Sequence, residues 1–277
     1  MHLEILVEDQ SGKKMLDIWP KTISGDSTME DYRLLIDLHK RSKRLGPGGD
    51  AETEEAVRLA RIDRGAALKV ADIGCGTGAS TLVLARLLNA RITAVDFIGD
   101  FLEVLEDRAE REGLSGRITT VTCSMDQLPF EDESLDVIWS EGAIYSMGFE
   151  NGVSQWNRFL KKGGLLVVSE ITWTTSSRPL EIQTHWDNEY PEIDLASSKT
   201  AVLEKHGYSP TGYFVLPEHC WLDNYYGPLQ EGFDEFLRRN GNSDEARDLV
   251  AAEQREIDLY RAFKDCYSYG VYIARKV

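Results

Sequence analysis

Hydrophobic positions along this chain follow two rhythms. Seven short runs are mostly apolar and rich in β-branched or aromatic residues: 70–73, 91–96, 117–123, 135–140, 164–170, 212–216 and 267–274. Runs of this length bounded by Gly, Asp or Pro predict strands, and continuously apolar ones predict parallel strands buried on both faces. Stretches with helical character, such as Ala79–Leu88, separate the earlier runs. That alternation over 68–173 predicts a doubly wound α/β sheet. Between the last two strands the rhythm turns helical, over Leu229–Arg239 and from Ser243 to about Phe263. Ser243 followed by Asp244 and Glu245 predicts a capped helix start. A lone strand pattern, Leu3–Glu8, stands apart in the first 28 residues and predicts an appended arm.

The first strand runs into the most informative turn of the chain, Asp72-Ile73-Gly74-Cys75-Gly76-Thr77-Gly78. Alternating glycines at a strand-to-helix turn admit positive φ and let a ligand reach bare backbone. The helix behind them presents unpaired N–H groups. Together these features predict a nucleotide-like cofactor. A dinucleotide turn reads G-x-G-x-x-G, whereas here the third glycine arrives one residue early, at Gly78, and Ala79 follows. Asp72, two residues before the first glycine, disfavours a phosphate and suits a cation such as an α-ammonium group. Asp96 ends the second strand about twenty residues on, where a carboxylate can accept both ribose hydroxyls. Its alternative role is to cap the following helix, for which Asp100 is better placed.

The turn resembles motif I, D-x-G-x-G-x-G, of the class I S-adenosylmethionine-dependent methyltransferases. Later segments agree in order. Ser124-Met125-Asp126-Gln127-Leu128-Pro129-Phe130 resembles the family's adenine-binding segment, with Ser124 in the usual acidic place. Asp132–Ser140 resembles its fourth strand, and Leu160-Lys161-Lys162-Gly163-Gly164 its next turn, with Lys162 replacing proline. Arg44–Gly48, Ser140–Tyr145 and Pro217–Trp221 are similar to small-molecule methyltransferases of the ubiquinone/menaquinone-biosynthesis type. The resemblance implies a Rossmann-like seven-stranded sheet with its last strand antiparallel. It implies one methyltransferase domain over 29–277, with N-terminal helices or a lid at 29–67, a cofactor core at 68–173 and a helical insertion at 218–264. It implies S-adenosyl-L-methionine as cofactor and S-adenosyl-L-homocysteine as product. The residues implied to hold them are Asp72, Gly74, Cys75, Gly76, Gly78, Asp96, Phe97, Ser124, Met125, Asp126, Glu141 and Arg44.

Methyl transfer from a sulfonium is an in-line displacement with an activated leaving group, so alignment and a matched electrostatic setting suffice. Glu141 and Tyr145 follow the fourth strand, where the transferred methyl should lie. Glu141 is the nearest candidate base, its alternatives being the methionine end of the cofactor or a helix cap. Tyr145 either orients a substrate or packs. Trp173, Trp186, His219, Trp221 and Tyr225 are candidates for an acceptor pocket, set against the usual fate of aromatics as core. His185 and His219 are also candidate bases. Acids do not cluster in the metal-dependent pattern, and no metal is expected. Two segments are predicted to close over Glu141 and Tyr145: 29–50, with Gly46-Pro47-Gly48-Gly49 as a hinge, and 218–264. The basic run His39–Arg44 is either a solvated helix end or, through Arg44, a cation for a carboxylate.

Charge and cysteines narrow the partners. Acids number 47 against 31 bases, a net charge of −16, which repels polyanions and argues against nucleic acid or an anionic membrane. No apolar run approaches the roughly 20 residues that span a bilayer, and the opening residues lack the order of a secretory signal. Cys75, Cys123, Cys220 and Cys266 form no C-x-x-C pair, which indicates neither a zinc site nor a disulfide framework and fits a reducing cytoplasm. The expectation is a cytoplasmic enzyme that methylates a small molecule, with homodimerisation through the N-terminal arm. The alternatives are a nicotinamide-dependent oxidoreductase and a cofactor-binding regulator without turnover.

Overall fold

The computed structural model describes residues 32–277. The predicted strand Leu3–Glu8, the arm that carries it and the first residues of the expected lid lie outside the described residues. Strands are β1 (Leu68–Ile73), β2 (Ala90–Asp96), β3 (Ile118–Thr122), β4 (Leu135–Ser140), β5 (Leu160–Trp173), β6 (Asp194–Leu195), β7 (Tyr208–Val215) and β8 (Tyr267–Lys276). Helices are α1 (Arg33–His39), α2 (Asp50–Leu59), α3 (Ala79–Leu87), α4 (Gly99–Arg111), α5 (Phe149–Trp156), α6 (Leu180–Glu189), α7 (Ala196–Lys205), α8 (Glu218–Trp221), α9 (Gly227–Arg239) and α10 (Asp244–Phe263).

Seven strands run in the order β3-β2-β1-β4-β5-β8-β7, and β6 pairs with the far end of β5. β1 to β5 pair in parallel, while β8 is antiparallel to both β5 and β7. The expected seven-stranded path with its antiparallel last strand is present. The two-residue β6 is an addition that no sequence pattern announced. Strand order reverses between β1 and β4, and at such a switch point a crevice opens outside the carboxyl ends of the strands.

Side-chain alternation explains the apolar runs. Along β1, Val70 joins one core while Ala71 and Ile73 join the other; along β5, Leu165 and Val167 oppose Leu166 and Val168. Period-2 alternation with both faces buried needs apolar residues at every position. Ala56 and Val57 of α2 and Leu84 of α3 cover the first face. Phe149, Val153 and Trp156 of α5 and Leu203 of α7 cover the second. The predicted turn Leu160–Gly164 lies instead inside β5 as a bulge. Leu135 pairs with Leu160 and Val137 with Leu165, so the extra residues loop out, helped by Gly163 at φ 78°. Extra residues on one strand of a pair have no partners and bend it.

The insertion between β7 and β8 comprises α8, a π-helical turn over Leu222–Tyr226, α9 and α10. Ser243 caps α10 as predicted, its Oγ accepting the Ala246 N–H at 3.2 Å. Trp221 stacks on Tyr260 with centroids 4.3 Å apart, and its Nε1 donates to Ser268 Oγ at 2.9 Å. The N-terminal segment docks on this insertion. His39 Nε2 lies 3.0 Å from Glu253 Oε1, Arg239 pairs with Asp37 at 3.1 Å, and Asn224 Nδ2 donates to the Gly48 carbonyl at 2.8 Å.

Candidate active site

The turn after β1 needs glycine for two reasons. Gly74 and Gly78 sit at φ 72° and 82°, where L side chains are strained. A Cβ at Gly74 would stand 2.3 Å from Ala143 Cβ, and one at Gly78 would stand 2.1 Å from Leu105 Cδ1. Asp72 points beneath this turn. Its Oδ2 accepts hydroxyl hydrogen bonds from Ser80 (2.8 Å) and Thr81 (2.6 Å), while Oδ1 is buried without a partner. Burial pushes its carboxyl up to about 7, against the two hydroxyl bonds. Asp72 thus anchors the first turn of α3, and the structure does not bring Asp72 or Gly78 to the cavity wall.

A cavity of about 270 Å³ opens beside the turn. Gly74, Cys75 and Gly76 line it from the turn, Asp96 and Phe97 from the end of β2, and Ser124, Met125 and Asp126 from beyond β3. Glu141 and Tyr145 line it from beyond β4, and Arg44 from the N-terminal segment. Asp96 shapes the turn as well as facing the cavity: Oδ2 accepts the Gly76 N–H at 2.8 Å and Oδ1 the Ile98 N–H at 2.9 Å. Burial raises its pKa, and backbone N–H bonds from Ile98, Gly76 and Phe97 oppose that rise. The Met125 carbonyl accepts Trp156 Nε1 at 3.1 Å, which pins the segment after β3. Burial keeps the Cys75 thiol protonated, making it a neutral part of the wall.

Glu141 is held on both oxygens. Oε2 accepts Arg44 Nη1 at 3.1 Å, and Oε1 accepts Thr53 Oγ1 at 2.7 Å and Trp139 Nε1 at 2.9 Å. Arg44, 9% exposed, also donates Nη2 to Asp50 Oδ1 at 3.2 Å. Arg44 is thus neutralised by two acids rather than offered alone to a ligand carboxylate, and it is not a solvated helix end. Thr53, Asp50 and Trp139 complete this network, and sequence reasoning missed all three. Thr53 and Glu141 are 88 residues apart and share no motif, so no local signal exists. Tyr145 packs edge-on against Tyr190 with centroids 6.3 Å apart, and burial lifts its phenol above the ordinary value, leaving it a neutral hydrogen-bonding group.

The structure does not bring Trp173, Trp186, His219, Trp221 or Tyr225 to the cavity. Trp173 and Trp186 meet Tyr267 edge-on, Trp221 stacks on Tyr260, and Tyr225 packs on Tyr226. Their aromatic area is spent joining the insertion to the sheet. His185 lies edge-on to Trp186, and burial lowers its pKa. His219 pairs with Glu52. Of the two predicted covers, the N-terminal one lines the cavity through Tyr32, Leu35 and residues 44–47. The insertion braces that cover from behind.

The chain has clear relatives. Residues 71–168 match the family described as a methyltransferase domain. Methyltransferase GfsG of Streptomyces halstedii is 33% identical over 195 residues, 62% of this chain and 68% of that one. The ubiquinone/menaquinone biosynthesis C-methyltransferase UbiE of Rhizobium etli is 36% identical over 179 residues, 63% of this chain and 64% of that one. A SAM-dependent methyltransferase from Geobacter sulfurreducens, solved with S-adenosyl-L-homocysteine, shares the fold with a TM-score of 0.78 at 18% identity, over 88% of this chain and 98% of that one. No helix among the described residues is long and apolar enough to cross a membrane. With its glycine turn, its strand order and these relatives, the chain belongs to the class I S-adenosylmethionine-dependent methyltransferases.

Proposed function

We propose that the methyl acceptor is a small, largely apolar molecule that is already nucleophilic as it binds, such as an acidic enol or phenol or a neutral amine. The commitment of Glu141 to Arg44, Thr53 and Trp139 carries this reading, because both of its oxygens are already taken by side-chain donors of the protein rather than aimed at an acceptor. The surrounding wall agrees: Tyr32, Leu35, Leu45, Pro47 and Met147 give it an apolar surface. Such a pocket recognises shape and aligns the acceptor.

The cavity fits the family's cofactor on its own features. Bare backbone at Gly74 and Gly76 borders it, and the Asp96 carboxylate, which accepts the Gly76 N–H on one oxygen and the Ile98 N–H on the other, keeps lone pairs for a ribose diol. In this reading Asp96 holds the ribose, and Ser124, Met125 and Asp126 take the adenine. Phe97, 36% exposed beside the cavity, covers the ring. The Arg44–Glu141 pair faces the amino-acid end. When bound, the cofactor supplies a sulfonium methyl that needs only in-line alignment. Tyr145 orients the acceptor, and the loop 44–47 excludes water.

Family membership removes the nicotinamide-dependent alternative. We extend the proposal to a reducing cytoplasmic setting, which four free cysteines support, and to a homodimer through the N-terminal arm. The test is incubation of cell extract with methyl-labelled S-adenosylmethionine, followed by mass spectrometry. Label in a small apolar product is expected. Label found only in polyanionic or strongly cationic acceptors would overturn the acceptor class.

A further inference from the structure

Behind the lid, three metal-ligating side chains converge where the sequence offers no zinc spacing. Glu52 projects from the first turn of α2, and His219 and Cys220 from α8. His219 Nε2 lies 3.1 Å from Glu52 Oε1 and 3.8 Å from Cys220 Sγ. All three donor atoms fall within 4.8 Å of one another. Glu52 Oε2 is buried. A tetrahedral ion with sulfur at ~2.3 Å and nitrogen or oxygen at ~2.0–2.2 Å sets its ligands about 3.3–3.7 Å apart. The separations of 3.1 and 3.8 Å bracket that range.

A proton relay does not account for this arrangement. In a thiol–imidazole–carboxylate relay the imidazole uses one nitrogen for each partner. Here the carboxylate and the thiol both face Nε2, and three donors around one point suit a cation. The charges also close. A thiolate, a carboxylate and a divalent cation sum to zero, with a neutral imidazole as third ligand. Cys220 is fully buried. Binding releases the thiol proton to solvent as a sulfur–metal bond replaces S–H, with no change of oxidation state. His219, 48% exposed, leaves an approach from solvent and room for a water as fourth ligand.

We propose that Glu52, His219 and Cys220 bind a borderline divalent cation, Zn²⁺ foremost, that clamps the insertion to the lid. The Gly48 N–H donates to the Cys220 carbonyl at 3.3 Å, and Asn224 donates to the Gly48 carbonyl at 2.8 Å. Thr53, the neighbour of Glu52, donates to Glu141. A cation here would hold the loop 44–49 against the cavity.

The test is titration of the metal-free full-length protein with Co²⁺, read without any cofactor so that it stands apart from the methyl-transfer proposal. One equivalent should produce a thiolate-to-cobalt charge-transfer band, and added Zn²⁺ should abolish it. Cys220→Ser should lose the band, whereas Cys266→Ser should keep it. His219→Ala, at a half-exposed site that tolerates substitution, should weaken Co²⁺ binding at least tenfold. Zn²⁺ should also raise the unfolding temperature of the wild type and not that of His219→Ala. A wild type without a stoichiometric band, a band that survives Cys220→Ser, or an equal Zn²⁺ shift in both proteins overturns the site.

Discussion

Replacing Asp96 by alanine separates the two jobs held by its carboxylate. One job is structural: the oxygens accept the Gly76 and Ile98 N–H groups at 2.8 and 2.9 Å. Hydrogen bonds to a charged group are worth about 1.5–3 kcal/mol each, but both donors border the cavity, where water can replace the lost acceptor. The low end applies, and the substitution should cost about 2–3 kcal/mol of stability. The other job is ligand binding. Two ribose hydroxyls lose a charged acceptor, again about 1.5–3 kcal/mol, which is about a tenfold to hundredfold rise in Kd for S-adenosylhomocysteine. Asp96→Asn retains one acceptor oxygen and should fall between wild type and alanine in both measures. Calorimetric titration gives the affinity and urea unfolding gives the stability. If Asp96→Ala lowers stability while Kd stays within twofold of wild type, the carboxylate only shapes the turn and the ribose assignment fails.

Three further outcomes are expected. Burial holds the Asp72 carboxyl near 7, against about 3.9 in an unfolded chain. An acid with a raised folded-state pKa contributes fully below about pH 4 and loses that contribution as pH climbs through about 7, on the order of 4 kcal/mol. Asp72→Asn, which keeps a carbonyl for Ser80 and Thr81, should flatten the stability slope across that window, and urea unfolding at several pH values that gives the wild-type slope would refute this. Gly78→Ala places a Cβ 2.1 Å from Leu105 Cδ1 at φ 82° and should cost about 2–4 kcal/mol, seen as several degrees in thermal unfolding; an unchanged transition contradicts the packing. Trp221→Phe removes the Nε1 bond to Ser268 and some stacking on Tyr260, so stability should fall by about 1–3 kcal/mol while cofactor Kd stays within about twofold. A tenfold change in Kd would show that the insertion reaches the cavity.

What could be read in the sequence was local. The turn from Asp72 to Gly78, the Ser243 cap and the strands of the sheet follow from backbone geometry and burial, which act between near neighbours. The place of Asp96 at the end of β2, facing the cavity, was legible as well, since its distance from the glycines is fixed by one helix and one strand. The partners of Glu141 were not, because Arg44 and Thr53 reach it from 97 and 88 residues away. The tryptophans were misjudged for a related reason. Composition reports aromatic area without saying whether a ligand or Tyr260 and Tyr267 will cover it. Glu52, His219 and Cys220 meet only because the insertion folds back over the N-terminal segment, and no spacing rule spans that distance.

The brace between the chain's two outer segments has a consequence for how such an enzyme can change. His39 and Glu253, Asp37 and Arg239, and Gly48 and Asn224 are joined across 176 to 214 residues of sequence. The N-terminal segment that lines the cavity therefore cannot be exchanged, trimmed or recombined alone without breaking an interface carried by the other end of the chain. A chimera that takes 32–50 from a relative should fold well only if it takes 218–264 from the same parent. The sheet between them is the frame both segments rest on, and the unit to exchange is a matched pair of distant segments.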